Sequence, residues 1–387
     1  MLVFSAHALY TPLEEILRPL LFVEEGRVVE ISSRAHKDVP ANAMLVQYDE
    51  SILAPGFLDL HLHGGVGVDV MRASADELPR LNQFLAGHGV TGYFPTTVAA
   101  PLDRTYAALS LLADAIEAAE RSRPGGAQAE PLGIHLEGPF LSHKRRGVHP
   151  PEFLLEPTIE IFDRLWQAAH GRVRMMTIAP ELPGAVEVIG EAAKRGVCMS
   201  LGHSDATIEP ARAAIAAGAR HATHTFNAMR PFDHRDPGLL GEVLTNGNLS
   251  ADIIADGIHT AAEIVKLFLQ AKGKENSVLI TDAISATGMP DGIYQLGPIQ
   301  VEVKDGRCTS EGRLAGSVLT MDKAVRNVTQ FAGWTLRDGV RAASWNAARV
   351  AGFDRGCGKL QAGSEATFLV LSSQGEVRKT IVRGQGY

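Results

Sequence analysis

Apolar runs along this chain stop, again and again, on a histidine or a carboxylate. Ser51-Ile-Leu-Ala-Pro-Gly-Phe-Leu-Asp-Leu60 leads into His61-Leu62-His63, and Gly133-Ile-His-Leu leads to Glu137. Met199-Ser-Leu-Gly stops at His203, Ala222-Thr at His224, and Val278-Leu-Ile-Thr at Asp282. In an extended strand, residues two apart point to the same side, so His61 and His63 can converge on one ion. Neutral imidazole is the commonest protein ligand for a metal. Metal-type residues at one end of many strand-like runs restrict the fold sharply, because those ends must share one surface.

Eight strand-like segments are expected at 52–60, 91–98, 132–137, 173–179, 197–202, 221–224, 249–254 and 278–281. Between many of them lie Ala-, Leu- and Glu-rich stretches of helical character, such as 104–121, 185–195, 208–217 and 261–272. Strands alternating with helices mean βα units and a parallel sheet. Eight such units over roughly 250 residues fit an α/β fold of the (β/α)8 TIM-type barrel class. A doubly wound open sheet is the alternative, but no Gly-rich dinucleotide fingerprint follows the first strand.

The two ends read differently. Residues 22–31 are apolar, turn, apolar, and 366–371 with 377–382 repeat that pattern at the other terminus. Neither end can build a core alone. They are expected to pair into a small β-sandwich domain, 1–54 plus 356–387, flanking a barrel over 55–355. Val301-Glu-Val-Lys-Asp-Gly-Arg-Cys308 reads as a hairpin with an Asp-Gly turn, inserted after the last barrel strand.

Bulk properties narrow the partners. The formal charge of −7 over 387 residues argues against non-specific nucleic-acid or anionic-membrane binding, and neither partner is expected. Cys198, Cys308 and Cys357 are far apart and form no C-x-x-C pair, so neither a disulfide framework nor a cysteine zinc site is indicated. The start of the chain lacks a basic segment followed by a long apolar one, and no stretch approaches the ~20 apolar residues of a membrane span. A cytoplasmic setting is expected.

In a barrel, the carboxyl ends of the strands share one mouth, where catalysis occurs. Strand one brings His61 and His63 there, strand three Glu137, strand five His203, strand six His224 and strand eight Asp282. Three or more nitrogen and oxygen ligands with an open position describe a catalytic metal site. One histidine alone would be read as an ordinary strand-end residue; six such residues at one mouth point to an ion.

Several segments go further: Pro55-Gly-Phe-Leu-Asp-Leu-His-Leu-His-Gly-Gly65, His135-Leu-Glu-Gly-Pro-Phe140, Leu201-Gly-His-Ser-Asp-Ala-Thr207, Ala222-Thr-His-Thr-Phe-Asn-Ala-Met229 and Ala255-Asp-Gly-Ile-His259. Thr281-Asp-Ala283 and Leu314-Ala-Gly-Ser317 complete the series. By these, the sequence resembles the amidohydrolase superfamily and, within it, the N-acetylglucosamine-6-phosphate deacetylases, over nearly its whole length. The H-x-H element is shared across the superfamily, whereas His-Leu-Glu-Gly-Pro and His-Thr-Phe-Asn-Ala-Met are particular to the deacetylases. Many two-metal relatives bridge their ions with a carboxylated lysine from strand four. Val173-Arg-Met-Met-Thr-Ile-Ala179 has none, and the resemblance gives the bridge to Glu137.

The resemblance implies roles residue by residue. Glu137, His203 and His224 would hold the principal divalent ion, with His61, His63 and Asp282 permitting a second. Zn²⁺, Fe²⁺, Co²⁺ or Mn²⁺ suits such ligands. Asp282 would act as general base and then general acid, and His259 would polarise the acetyl carbonyl. His149, Asn227 and Ala228 match substrate-contacting positions. Arg235 in His234-Arg-Asp-Pro-Gly238 matches an arginine that grips the sugar phosphate from the neighbouring subunit of a homodimer. Some of these deacetylases lack both histidines of H-x-H, and this chain keeps them. Taken alone, Asp282 could cap a helix, His259 could open one, and Arg235 or the basic run Lys144-Arg145-Arg146 could be solvated loop. Ala366-Thr367 stands where relatives often have Ala-Asp, a change read as structural.

The expected activity is removal of acetate from N-acetylglucosamine 6-phosphate. N-acetylgalactosamine 6-phosphate or a non-phosphorylated acetamido sugar are alternatives within the same chemistry. A sugar-phosphate-binding barrel without turnover is the alternative of another class. A nucleobase deaminase stands on fold analogy alone and leaves the Arg235 loop unexplained.

Overall fold

The computed structural model describes residues 1–122, 126–354 and 356–387; the domain boundary expected at residue 355 lies outside the described residues. Eight short strands form its centre: β1 (Phe57–Leu62), β2 (Val90–Thr97), β3 (Ile134–Glu137), β4 (Val173–Ile178), β5 (Cys198–Leu201), β6 (His221–Ala222), β7 (Ala251–Ile254) and β8 (Ser277–Ile280). β1 to β6 pair in sequence order, all parallel, and β7 pairs in parallel with β8. Ala222 N–H donates to Ser250 O (3.1 Å) and Thr225 N–H to Asp252 O (2.9 Å), which stitches β6 to β7. Asp282 N–H donates to His61 O (2.9 Å) and His63 N–H to Ala283 O (2.7 Å), which brings the last strand back to the first. This ring is the arrangement expected of a (β/α)8 barrel.

Strands covered on both faces read as nearly continuous apolar runs, and every residue of β5, β7 and β8 is buried. Helices Leu102–Ser122, Ala185–Lys194, Ile208–Ala217 and Ala262–Asn276 stand close to the expected bounds. The first buries Thr105, Ala108, Leu109, Leu112, Ala113 and Ile116, the three-and-four spacing of an amphipathic helix lying on a sheet. Phe268 and Leu269 of the last are fully buried, and each such side chain contributes about 1.5–3 kcal/mol.

The chain ends meet in one seven-stranded sheet, ordered Val377–Ile381, Phe368–Leu371, Met44–Pro55, Leu2–Tyr10, Pro19–Glu24, Arg27–Ser33, with Glu15–Leu17 also on Leu2–Tyr10. Its core of Phe4, Leu21, Leu53, Phe368 and Ile381 is separate from that of the barrel. Thr367 accepts the Arg383 N–H at 3.2 Å through its hydroxyl.

One expectation needs correction. The run 52–60 is not a single barrel strand: 52–55 finish Met44–Pro55 of the end sheet, and β1 begins at Phe57. Gly56 is the joint, since a Cβ there would sit 2.2 Å from Thr91 Oγ1. One extended segment serves two sheets, so apolar patterning alone does not show the break. After β8, Gly292–Leu296, Ile299–Lys304, Arg307–Ser310 and Arg313–Leu314 form the inserted antiparallel sheet, turning at Asp305-Gly306 as expected.

Candidate metal centre

Glu137, at the end of β3, occupies the middle of the mouth. Its Oε1 lies 3.0 Å from His224 Nε2, 3.1 Å from His203 Nε2 and 3.4 Å from His61 Nε2, and its Oε2 lies 3.3 Å from His63 Nε2. Asp282 Oδ1 is 3.1 Å from His63 Nε2 and 3.6 Å from His61 Nε2, so it faces these rings rather than a helix end. The two Nε2 atoms of His61 and His63 are 3.2 Å apart, and those of His203 and His224 are 3.0 Å apart. Ligand atoms bound tetrahedrally at about 2.0–2.1 Å lie about 3.3 Å from one another, which is the spacing here. All six side chains are buried. Two carboxylates among imidazole lone pairs form a donor set complementary to a divalent cation, and the residues fit one.

Ring orientation separates candidate ligands from donors. Nδ1 of His63 is 3.0 Å from Thr96 O, and Nδ1 of His203 is 3.0 Å from Arg145 O. A carbonyl only accepts, so each Nδ1 carries the proton and each Nε2 offers a lone pair to the cluster. His149 is reversed. The Ala99 N–H donates to its Nδ1 at 3.1 Å, which places the ring proton on Nε2, 3.6 Å from Glu137 Oε2. Although His149 stands close enough to Glu137 and His203 to form a ligand group, this tautomer makes it a hydrogen-bond donor in the pocket wall.

Without an ion, the two carboxylates favour a proton on the rings beside them, a charge that a bound cation would replace. Burial disfavours the cationic form of His63, but Asp282 and Glu137 hold its pKa up at about 10. His224, equally buried, is held at about 9 mainly by Glu137, while burial brings His203 down to about 4. Burial would raise Glu137, yet His61, His149, His203 and His224 hold it well below the usual carboxylate range. Asp282 is likewise buried and is held at about 2 by His63 and His61.

The backbone does much of the aiming. His203, His224 and Asp282 have left-handed φ values of 46°, 29° and 52°, and so do Phe226 and Ala228 at 80° and 50°. Such conformations cost about 1–3 kcal/mol each in a non-glycine residue and persist only where the surroundings fix them. Here the chain leaves its strand and turns at once, swinging the side chain across the mouth. Asp252 in β7 anchors one turn, accepting the His224 N–H and standing 2.9 Å from His221 Nε2. Asp59 in β1 anchors another, accepting from the Thr281 hydroxyl at 2.6 Å, and Ser317 N–H donates to Asp282 O at 2.7 Å. Sequence reasoning passed over both acids, although a carboxylate inside an apolar run was the available signal.

The cluster opens into a pocket walled by Val98, Gly147, Val148, Leu296 and Leu314, with His149, Asn227, Ala228 and His259 also on its lining. The inserted sheet supplies Leu296 and Leu314. Arg235 is not brought here: it lies exposed, its amide donating to Asp233 at 2.8 Å, and does not line the pocket of its own chain. Arg230 ties that loop down through Asp236 and Asp205. The basic run is not simply solvated. Arg145 donates to Asp205 at 2.8 Å, Lys144 reaches the same carboxylate at 3.4 Å, and Arg146 donates to His149 O at 2.7 Å. These contacts hold the segment that carries His149.

Comparison with known proteins places this architecture. Residues 52–386 match the amidohydrolase family, and the chain belongs to that family. Within it, the chain is 37% identical over 380 residues to the N-acetylglucosamine-6-phosphate deacetylase of Bacillus subtilis (strain 168), covering 97% of this chain and 94% of that one. It is 38% identical over 371 residues to the N-acetylgalactosamine-6-phosphate deacetylase of Escherichia coli O157:H7, covering 94% and 97%. The solved structure of N-acetyl-D-glucosamine-6-phosphate deacetylase from Mycobacterium smegmatis superposes with a TM-score of 0.90 at 35% identity, over 99% of each chain.

Proposed function

We propose that this chain is a metal-dependent deacetylase that hydrolyses the acetamide of N-acetylglucosamine 6-phosphate, giving glucosamine 6-phosphate and acetate in amino-sugar breakdown or recycling. The observation that carries the reading is the Glu137-centred ligand cluster with Asp282 beside it at the floor of a pocket. Glu137, His203 and His224 would hold a divalent ion there (zinc, iron, cobalt or manganese), and His61, His63 and Asp282 would provide for a second; such an ion would supply Lewis acidity for activating water and polarising the acyl oxygen.

The chain's own groups complete the reaction. Asp282 takes a proton from the attacking water through a carboxylate oxygen and returns it to the nitrogen as the C–N bond breaks. His259 donates to the acyl oxygen while negative charge builds there. His149 donates from Nε2 to a sugar hydroxyl. Asn227 and Ala228 contact the sugar phosphate, and Arg235 of a second copy closes over it; that arginine's exposed place outside its own pocket supports a homodimer.

A galacto-configured substrate is the second reading, favoured by the 38% identity to the Escherichia coli enzyme. Acetate release from the gluco and galacto 6-phosphates, compared as kcat/KM, separates the two. Chelation should abolish turnover and added divalent ion should restore it; activity that survives complete removal of metal would refute the mechanism.

The small β domain is inferred to comprise 1–54 with 356–387, beside a barrel over 55–355; the separate core around Phe4 and Phe368 supports this. Among the described residues, no helix is long and apolar enough to cross a membrane. With Cys198, Cys308 and Cys357 all unbridged, the reducing cytoplasm is the proposed setting.

A further inference from the structure

His259 follows Ala255-Asp-Gly-Ile258 beyond the end of β7 and lines the pocket. Asp256 holds it from two sides. Its Oδ1 accepts the N–H of Ile258 at 2.8 Å and of His259 at 2.7 Å, closing a turn at Gly257, whose φ is 77°. Its Oδ2 lies 2.7 Å from His259 Nδ1, and only 8% of the aspartate side chain and 7% of the histidine side chain are exposed. Burial opposes the charge on Asp256, but the bonds from His259 and the two amides hold its carboxyl below the usual range.

An ionised carboxylate only accepts, so Nδ1 carries a proton and Nε2 is the ring atom left for the pocket. A neutral ring protonated at Nδ1 has just a lone pair at Nε2 and cannot donate to an acyl oxygen. Donation requires a proton on both nitrogens, and a carboxylate 2.7 Å away balances that charge. We infer that Asp256 is the positioning residue for His259: it fixes the ring and supplies the counter-charge under which Nε2 donates to the acetyl oxygen. The inference rests on the deacetylase reading and deepens it.

Asp256→Asn is the informative substitution. Its side-chain oxygen can keep both backbone bonds, while the amide nitrogen presents a donor to Nδ1, so the ring can donate from Nε2 only as a neutral imidazole, without the positive charge that the carboxylate balances. The expected result is a fall in kcat on the order of tenfold to a hundredfold, with KM, folding and metal content near wild type. Adding Asp256→Asn to His259→Ala should lower kcat no further, because the acid acts through the ring. Nitrogen-15 spectra should show a protonated Nδ1 on His259 in the wild type and an unprotonated one in Asp256→Asn. Wild-type kcat in Asp256→Asn, additive losses in the double variant, or a wild-type His259 without a proton on Nδ1 would each overturn the inference. A wild type that releases no acetate would count against the deacetylase reading instead, and the nitrogen spectrum would still decide the hold of Asp256 on the ring.

Discussion

Replacing Asp282 by asparagine isolates the proton transfer from the architecture around it. The residue sits at φ 52°, a conformation that asparagine tolerates as aspartate does. Its backbone N–H to His61 O (2.9 Å) and its carbonyl bond from Ser317 N–H (2.7 Å) do not involve the side chain. Shape and backbone are therefore retained, and what disappears is a carboxylate 3.1 Å from His63 Nε2. General acid–base assistance is worth about 10²–10⁴-fold, or about 2.7–5.4 kcal/mol at 1.36 kcal/mol per decade. Acetate release from N-acetylglucosamine 6-phosphate should show that loss in kcat with KM little changed, since the lost interaction belongs to the transition state. Metal content, measured on the same samples at saturating ion, separates lost chemistry from lost ligation. Metal-replete Asp282→Asn with kcat within about threefold of wild type would refute the assigned role, because no positioned base contributes so little.

Three further outcomes follow from other parts of the molecule. If the proposed homodimer shares its sites through Arg235, co-expressed Arg235→Ala and Asp282→Asn chains should be severalfold more active than either alone, since a mixed dimer would have one site with both residues intact; no gain on mixing would place Arg235 elsewhere. Gly316 has φ 59°, and a Cβ there would lie 2.3 Å from Ile284 Cγ2 and 3.1 Å from Asp282 O, so Gly316→Ala should cost about 1–3 kcal/mol and lower both Tm and kcat. Burial would raise the Asp322 carboxyl, but His88 at 3.0 Å, Thr320 and Arg326 at 2.8 Å hold it well below its usual range. A depressed carboxyl contributes stability that is complete above its unfolded pKa of about 3.9 and is lost as pH falls through the folded value. Tm should therefore fall more steeply below about pH 4 in the wild type than in Asp322→Asn, and parallel curves would refute the assignment.

The legible part of this fold is the part that repeats. Parallel strands buried on both faces leave apolar runs, and each of the eight expected runs overlaps one of the central strands. Legible too was the placement of metal-type residues at the carboxyl ends of those runs, so Glu137, His203, His224 and Asp282 could be named as candidates before any coordinate. How they converge was not legible. The left-handed turns at His203, His224 and Asp282 are set by partners distant in sequence, Asp252 and Ser317 among them, and no local pattern announces a conformation imposed from outside. The join at Gly56 was hidden for a related reason: extended chain looks alike whichever sheet it pairs with. His149 shows a third limit. Its residue type permits ligation, and only the Ala99 amide, 50 residues away, decides that its Nε2 donates.

Asp59 and Thr281 are 222 residues apart and bonded to each other. A chain emerging from the ribosome therefore displays its first pair of histidines long before the strand that completes their surroundings has been made. Capture of an ion in the finished site would be a late event in synthesis, and it would act on the seam where first and last strands meet. Because an ion that binds only the closed ring shifts the balance towards that ring, metal supply would govern how long each copy survives proteolysis as well as how fast it works.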